Sequence, residues 1–195
     1  MNAQSKNDSK AGPMPPFVFD LRQKIKKAMK TQTRRVIVPQ PKTIRQSVFV
    51  KSGFEDGHGK EIRPRYPDGM RYLREPLCRG EDGLAYYRDD GQLALSKGSP
   101  IRWNWKRDTL PQIFMPSSLA RYFYDWQMVA IQELWAISIE DIRAEGISHT
   151  TNYGPLLHDL FCELWDSINV SRGYPFNSNP FVTVYGFLPT QSRVL

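Results

Sequence analysis

The sequence is poor in the residues that build covalent or metallic scaffolds. It holds two cysteines, Cys78 and Cys162, and three histidines, His58, His149 and His158. Two thiols cannot make a disulfide framework in a chain of 195 residues, so a reduced, intracellular, cytoplasmic protein is expected. Neither cysteine belongs to a Cys-x-x-Cys pair and the histidines lie far apart. Zinc-ligand spacing is therefore missing, and no metal is expected. Long apolar runs are missing too. No stretch approaches the roughly 18 apolar residues of a membrane span, and residues 1–16 lack the apolar run of a signal peptide, so no membrane partner is expected. The chain has no G-x-G-x-x-G and no G-x-S-x-G elbow. "GFEDGHGKE" is glycine-rich, but Glu61 stands where a phosphate loop needs Ser or Thr, so no nucleotide cofactor is implied.

Positive charge and aromatic rings are plentiful. Lysine and arginine number 27 against 20 acidic residues, a formal charge of +7, which favours a polyanionic partner such as RNA or DNA. Hydrophobic residues at 40% and aromatics at 12% are enough for a core. The length fits one elaborated domain.

Residues 1–16 are polar and then proline-rich, and read as a disordered tail. "FDLRQKIKKAM" predicts a helix, with Asp20 and Gln23 in capping-box register, an apolar face of Leu21, Ile25, Ala28 and Met29, and an end near Met29 or Lys30. "TRRVIV" predicts a strand ended by Pro39 and Pro41. Residues 42–70 predict loops and one hairpin, "MRYLRE" a strand, and "GLAYYRDDGQLALS" a hairpin around an Asp-Gly turn. "MPSSLARYFYDW" can hold a short helix opened by Ser117 or Ser118, and "QMVAIQELWAI" has strand character. "SIEDIRAEG" carries both helix end signals. "YGPLLHDLFCELWDSIN" lines up Leu156, Leu157, Leu160, Phe161, Leu164, Trp165 and Ile168 as one helical stripe, and "PFVTVYGFL" alternates as a strand. Strands and short helices mix without a βαβ rhythm, which predicts an α+β fold.

One run stands apart. "KTQTRR", residues 30–35, contains nothing for a core. If extended, Thr31, Thr33 and Arg35 share one face, and Gln32, Arg34 and Val36 the other. An edge strand with solvated arginines is one reading. The other is chemical: a lysine can serve as base toward a threonine hydroxyl when burial or neighbouring cations lower its pKa, with a carboxylate elsewhere orienting the pair. A second concentration of basic and aromatic residues comprises Arg34, Arg35, Arg71, Arg74, Arg102, Trp103, Trp105, Lys106 and Arg107. Arginines grip phosphate and aromatic rings stack on unpaired bases; the bland alternative is that the tryptophans seal a core and the cations are solvated.

"KAMKTQTRRVIVPQP" resembles the N-terminal signature of ASCH-domain proteins, especially the ASCH-like proteins of phages and prophages. Further pieces agree in order. "DGMRYLREPL" resembles a Gly-Asp-x-Leu-x-Val-Arg-Glu strand, and "LPQIFMPSSLAR" an Ile-His-Met-Pro segment. "ISIEDIRAEGI" is similar to Ile-Ser-x-Glu-Asp-Ala-x-Ala-Glu-Gly, and "FCELWDSIN" followed by "NPFVTVYGF" to the closing motifs. The chain departs from the pattern where Ala28 and Met29 replace Gly-Arg, and where Met70 replaces an acidic residue.

The resemblance covers about residues 17–188. It implies a PUA-like small mixed β-barrel with helices packed at its ends, an insertion at about 42–115, and a tail at 189–195. It also implies a partner that is RNA or a modified nucleoside, held in a cleft near the Lys-Thr segment. The basic and aromatic residues read above, Arg34, Arg35, Arg74, Trp103, Trp105, Lys106 and Arg107, are the expected nucleic-acid contacts. One small bacterial relative removes the acetyl group of N4-acetylcytidine. Carried over by position, its reacting groups become Lys30, Thr33 and Glu145. A phage structural or assembly role is the remaining expectation, and the host cytoplasm the expected location.

Overall fold

The computed structural model describes residues 11–48, 50–148 and 154–190. The expectations for residues 1–10 and 191–195, and for His149, lie outside the described residues. In chain order the strands are β1 (Gly12–Pro13), β2 (Gln32–Val36), β3 (Ile44–Gln46), β4 (Phe54–Asp56), β5 (Gly69–Tyr72), β6 (Leu77–Arg79), β7 (Ala85–Tyr87), β8 (Leu95–Ser96), β9 (Ser99–Pro100), β10 (Thr109–Leu110), β11 (Phe123–Glu133) and β12 (Phe181–Pro189). The α-helices are α1 (Phe19–Lys26), α2 (Ile139–Ala144) and α3 (Gly154–Asn169). The fold is mixed α+β. The chain packs as two compact units.

The first unit takes residues up to Lys26, Gly69–Trp126 and those from Leu188 onward. β1 pairs in parallel with β5, and β5 runs antiparallel to the start of β11, with Tyr72 opposite Phe123 and Gly69 opposite Trp126. Residues 11–16, expected in a structureless tail, instead carry β1, and Met14 is fully buried there. The Asp-Gly hairpin forms as predicted. Tyr87 donates its N–H to the Gln92 carbonyl at 2.8 Å, Tyr86 bridges Leu93, and Gly91 takes φ 68° in the turn. Strand β7 also pairs with β6, and β6 with β10. Leu77, Ala85, Tyr87, Ala94, Leu110, Met115 and Leu119 make the core.

The second unit takes Lys27–Asp68 and Gln127–Phe187. Here β12 lies between β11 and β2, with Tyr185 opposite Thr33, Thr183 opposite Arg35 and Val184 opposite Arg34. The hairpin expected within 42–70 is β3–β4, Ile44 facing Asp56. The stripe of α3 turns Leu157, Phe161 and Trp165 into the core, against Leu134, Ile142, Val182 and Val184.

Two boundaries differ from expectation. Helix α1 stops at Lys26 rather than near Met29, and Ala28 follows at φ 55°. That left-handed backbone cannot continue a right-handed helix. Strand β11 begins at Phe123, four residues ahead of the predicted run, because Tyr124 and Trp126 are buried while Asp125 and Gln127 are exposed. This is period two inside a segment whose Ser-Ser pair suggested a helix. The serines open only a 3-10 turn, Ser117–Leu119.

Candidate functional site

Lys30, Arg34 and Glu145 come together inside the second unit, and local structure explains how. Ser138 caps α2: its side chain accepts from the Asp141 N–H at 3.1 Å, and Asp141 Oδ2 accepts from the Ser138 N–H at 3.2 Å. The capping box fixes the start of the helix. Its end is fixed by Gly146 at φ 86°, which turns the chain and leaves Glu145 at the C-terminal cap. The Thr31 N–H donates to the Ala144 carbonyl at 2.8 Å, docking the Lys-Thr segment on that end. The Phe187 N–H donates to the Thr31 carbonyl at 2.8 Å, tying the same segment to β12.

The consequence is a shared carboxylate. Lys30 Nζ donates to Glu145 Oε2 at 2.5 Å and to the Glu145 backbone carbonyl at 3.0 Å. Arg34 Nη1 donates to Glu145 Oε1 at 3.1 Å, and Arg34 Nη2 lies 2.9 Å from Asp141 Oδ2. Lys30 is 1% exposed, Arg34 5% and Glu145 5%. Burial pushes the Lys30 ammonium below its ordinary value; Glu145 pulls it back, and the cations Arg35 and Arg34 add to the depression. A buried ammonium held by a carboxylate and lowered in pKa is a group that can give up a proton.

Thr33 and Arg35 occupy the other face of β2 from Arg34. Thr33 is 4% exposed and opposite Tyr185; Arg35 is half-buried and opposite Thr183, itself buried. Tyr66 sets its ring edge-on to Tyr185 at 5.9 Å and donates its backbone N–H to the Tyr185 hydroxyl at 3.2 Å. Burial lowers the pKa of Arg35 and raises that of Tyr185. Within β2, then, Arg34 joins Lys30 and Glu145, while Thr33 and Arg35 line a threonine–tyrosine face.

The remaining predicted contacts lie in the first unit. Trp103 and Trp105 do share a face, with ring centroids 4.7 Å apart and planes at 64°. Both are half-buried against the core, and Trp103 Nε1 donates to the Arg107 carbonyl at 2.9 Å. Lys106 and Arg107 are exposed. Arg74 is half-buried and donates to the Ile113 carbonyl at 3.3 Å.

Sequence reasoning missed Asp141 as a partner of Arg34, and Tyr66 and Tyr185 as the neighbours of Thr33 and Arg35. Signals existed for two of these. The Ser-x-x-Asp spacing marks Asp141, and the alternation of "PFVTVYGF" puts Thr183 and Tyr185 on one face. Tyr66 has no sequence signal, since it arrives from a loop. Also missed was a second ion network, in the first unit. Glu75, fully buried, accepts from Arg121 Nε and Nη2, both at 2.7 Å, and contacts Lys26. Arg22 pairs with Asp89 at 2.7 Å, and Arg121 with Asp90 at 2.6 Å.

Among the described residues no group of three or more His, Cys, Asp or Glu side chains is placed to hold a metal ion, and no helix is long and apolar enough to cross a membrane. No family model, curated protein or solved structure matches the chain.

Proposed function

We propose that this chain is a phage- or prophage-encoded module of ASCH type with a PUA-like fold, which binds RNA or a modified nucleoside. The observation that carries the reading is the convergence of Lys30 and Arg34 on Glu145. Those residues are 111 to 115 positions apart in sequence and nearly sealed from water. Burying three charged groups is costly, and a titratable group such as Lys30, perturbed by burial and by a specific charge partner, is a candidate for a functional site. The cluster lies where the ASCH resemblance sets its Lys-Thr segment against its Ala-Glu helix. The exposed Lys106 and Arg107, beside two tryptophans, supply sequence-independent grip on phosphate.

Fluorescence anisotropy with a labelled single-stranded RNA tests this reading. Micromolar binding that weakens steeply between 50 and 200 mM salt is expected, with the slope reduced in Lys106→Ala plus Arg107→Ala. No binding at 50 mM salt to that RNA or to modified nucleosides refutes it.

A second reading is favoured by the depressed Lys30 pKa. In it a neutral Lys30 takes the proton of the Thr33 hydroxyl, the Thr33 side chain turning from the Tyr185 face toward Lys30. Thr33 Oγ1 adds to the acyl carbonyl of an N4-acylated cytidine, and Glu145 holds the resulting ammonium. The C–N4 bond then breaks as Lys30 returns that proton to the departing cytidine amine, and water hydrolyses the acyl-threonine to acetate and free Thr33. Acetate release from N4-acetylcytidine, lost in Lys30→Met and Thr33→Ala, is the expected result. Absence of turnover by the wild type removes that reading and leaves the binding module in place.

A further inference from the structure

The second unit carries a pocket that shares no residue with the Lys30–Glu145 cluster. It has a volume of about 460 Å³, within the range of small-molecule sites. Its apolar lining comes from Ile44 on β3, Phe54 on β4, Ile131 on β11 and Phe181 at the start of β12; its polar lining includes Lys42, Thr43 and Arg45. Lys42 and Thr43 are exposed, and Arg45 is 61% exposed at its side chain. Arg45 is steadied by Glu55, with Nε 2.6 Å from Oε1. Glu133 also lines the pocket, but its Oε2 accepts from Asn179 Nδ2 at 3.1 Å. A further cavity of about 850 Å³ is lined by the same Arg45, Gln46 and Phe54, with Ser47, Val48 and Gly53 beside them.

The arrangement has three chemical parts. Two phenylalanines and two isoleucines offer a surface for a flat ring. Thr43 and Gln46 offer donors and acceptors for the edge of that ring. Lys42 and Arg45 supply two cations at the rim, where a phosphate would keep part of its hydration. A purely apolar ligand leaves Lys42 idle, and a bare anion leaves the aromatic lining idle.

We propose that this pocket binds one nucleotide unit, its base against Phe54 and Phe181 and its phosphate at Lys42 and Arg45. The site goes beyond the function proposed above, because its residues lie outside the Lys-Thr segment, on the hairpin that opens the insertion. The unit can come from a free nucleotide or from a single-stranded chain, and the second cavity would take the neighbouring residue of a chain.

Isothermal titration of the full chain tests this with AMP, adenosine, inorganic phosphate and a short single-stranded RNA. AMP is expected to bind more tightly than adenosine or phosphate. Lys42→Ala should weaken AMP about tenfold and leave adenosine unchanged. Phe54→Leu should weaken AMP and adenosine alike by about tenfold. If Phe54→Leu fails to fold, the exposed Lys42→Ala carries the test alone. An RNA that binds more than about tenfold tighter than AMP, with the same sensitivity to Lys42→Ala, identifies the chain as source; equal affinities identify the free nucleotide. AMP binding that ignores both variants overturns the proposal. So does AMP binding lost in Lys30→Met but kept in Lys42→Ala, a result that would leave the function proposed above intact. No measurable binding of AMP or RNA also overturns it.

Discussion

Glu145 should matter more to stability than Lys30, although the two are partners. The carboxylate of Glu145 serves two buried cations: Oε2 takes Lys30 and Oε1 takes Arg34. Changing Glu145→Gln leaves Lys30, in a site about 5% exposed or less, without the negative charge that balances it, and leaves Arg34 with Asp141 alone. Breaking a buried ion pair from one side costs about 3–5 kcal/mol. Changing Lys30→Met removes one cation and leaves Glu145 with Arg34. The loss there is a donor to one carboxylate oxygen and to one carbonyl, offset by the desolvation that methionine avoids, for a net of about 1 kcal/mol. In thermal unfolding, a chain of this size shifts by about 2–4 °C per kcal/mol. The expected falls are thus about 10 °C for Glu145→Gln and about 3 °C for Lys30→Met. The pH dependence gives an independent check. Unfolded Lys30 titrates near about 10.4, and burial holds the folded group lower. Between those values the unfolded chain binds more protons, so stability gains from Lys30 as pH rises through that window. Subtracting the Lys30→Met profile from the wild type should reveal that gain. Equal losses from the two variants, or a difference profile flat up to pH 10.4, would refute the shared-carboxylate argument.

Ala28→Gly should raise stability by about 0.5–1 kcal/mol in chemical denaturation. Relief of a left-handed alanine at φ 55° outweighs the extra freedom of glycine in the unfolded chain. Tyr87→Phe should cost about 1–2 kcal/mol at neutral pH, because the buried Tyr87 hydroxyl donates to the Leu119 carbonyl at 2.6 Å. The same variant should flatten the alkaline limb of a pH–stability curve. The folded Tyr87 hydroxyl is pushed up to about 12, so its contribution holds below about pH 10 and is lost as pH rises toward 12. Ser138→Ala should cost about 1 kcal/mol by removing the cap of α2, and hydrogen exchange at Asp141 should quicken.

Much of the second unit was legible because its signals are local. Ser138 and Gly146 bracket α2 through end effects that act within one turn, and the stripe from Leu156 to Ile168 needs only helical periodicity. The alternation of β12 was equally plain, though burial from Val182 to Tyr185 is continuous, since the strand is covered on both faces. The pairing of Lys30 with Glu145 was legible only through the resemblance, because nothing local links residues 115 positions apart. What stayed hidden depended on tertiary company. The left-handed Ala28 looked like one more apolar residue on a helical face. Tyr124 and Trp126 followed a serine pair that suggested a helix, and Met14 sat among prolines that suggested none. In each case a long-range contact or an unusual backbone angle overrode a correct local preference.

The two units also show that a buried carboxylate does not by itself mark a site. Glu75 and Glu145 are each held by a lysine and an arginine, and Glu75 is the more deeply enclosed. Around Glu75, Arg22, Lys26 and Arg121 meet Glu75, Asp89 and Asp90, so three cations face three carboxylates. Arg121 is further spent on Gln92 at 2.7 Å and on the face of Tyr87, its guanidinium carbon 3.6 Å from the ring centroid. Such a set is closed, and its chemistry is cohesion. Around Glu145 the described contacts bring Lys30 and Arg34 to Glu145 and Asp141, while Arg35 adds a third positive field that already reaches Lys30. Burial of Lys30, with Arg35 and Arg34 beside it, lowers its pKa, so the Lys30 proton is one this cluster can release. Arg121→Lys should consequently reduce stability and leave RNA binding unchanged. Arg35→Gln should weaken RNA binding, and RNA binding that ignores Arg35→Gln but falls with Arg121→Lys would leave Lys106 and Arg107 of the first unit as the RNA contacts by themselves.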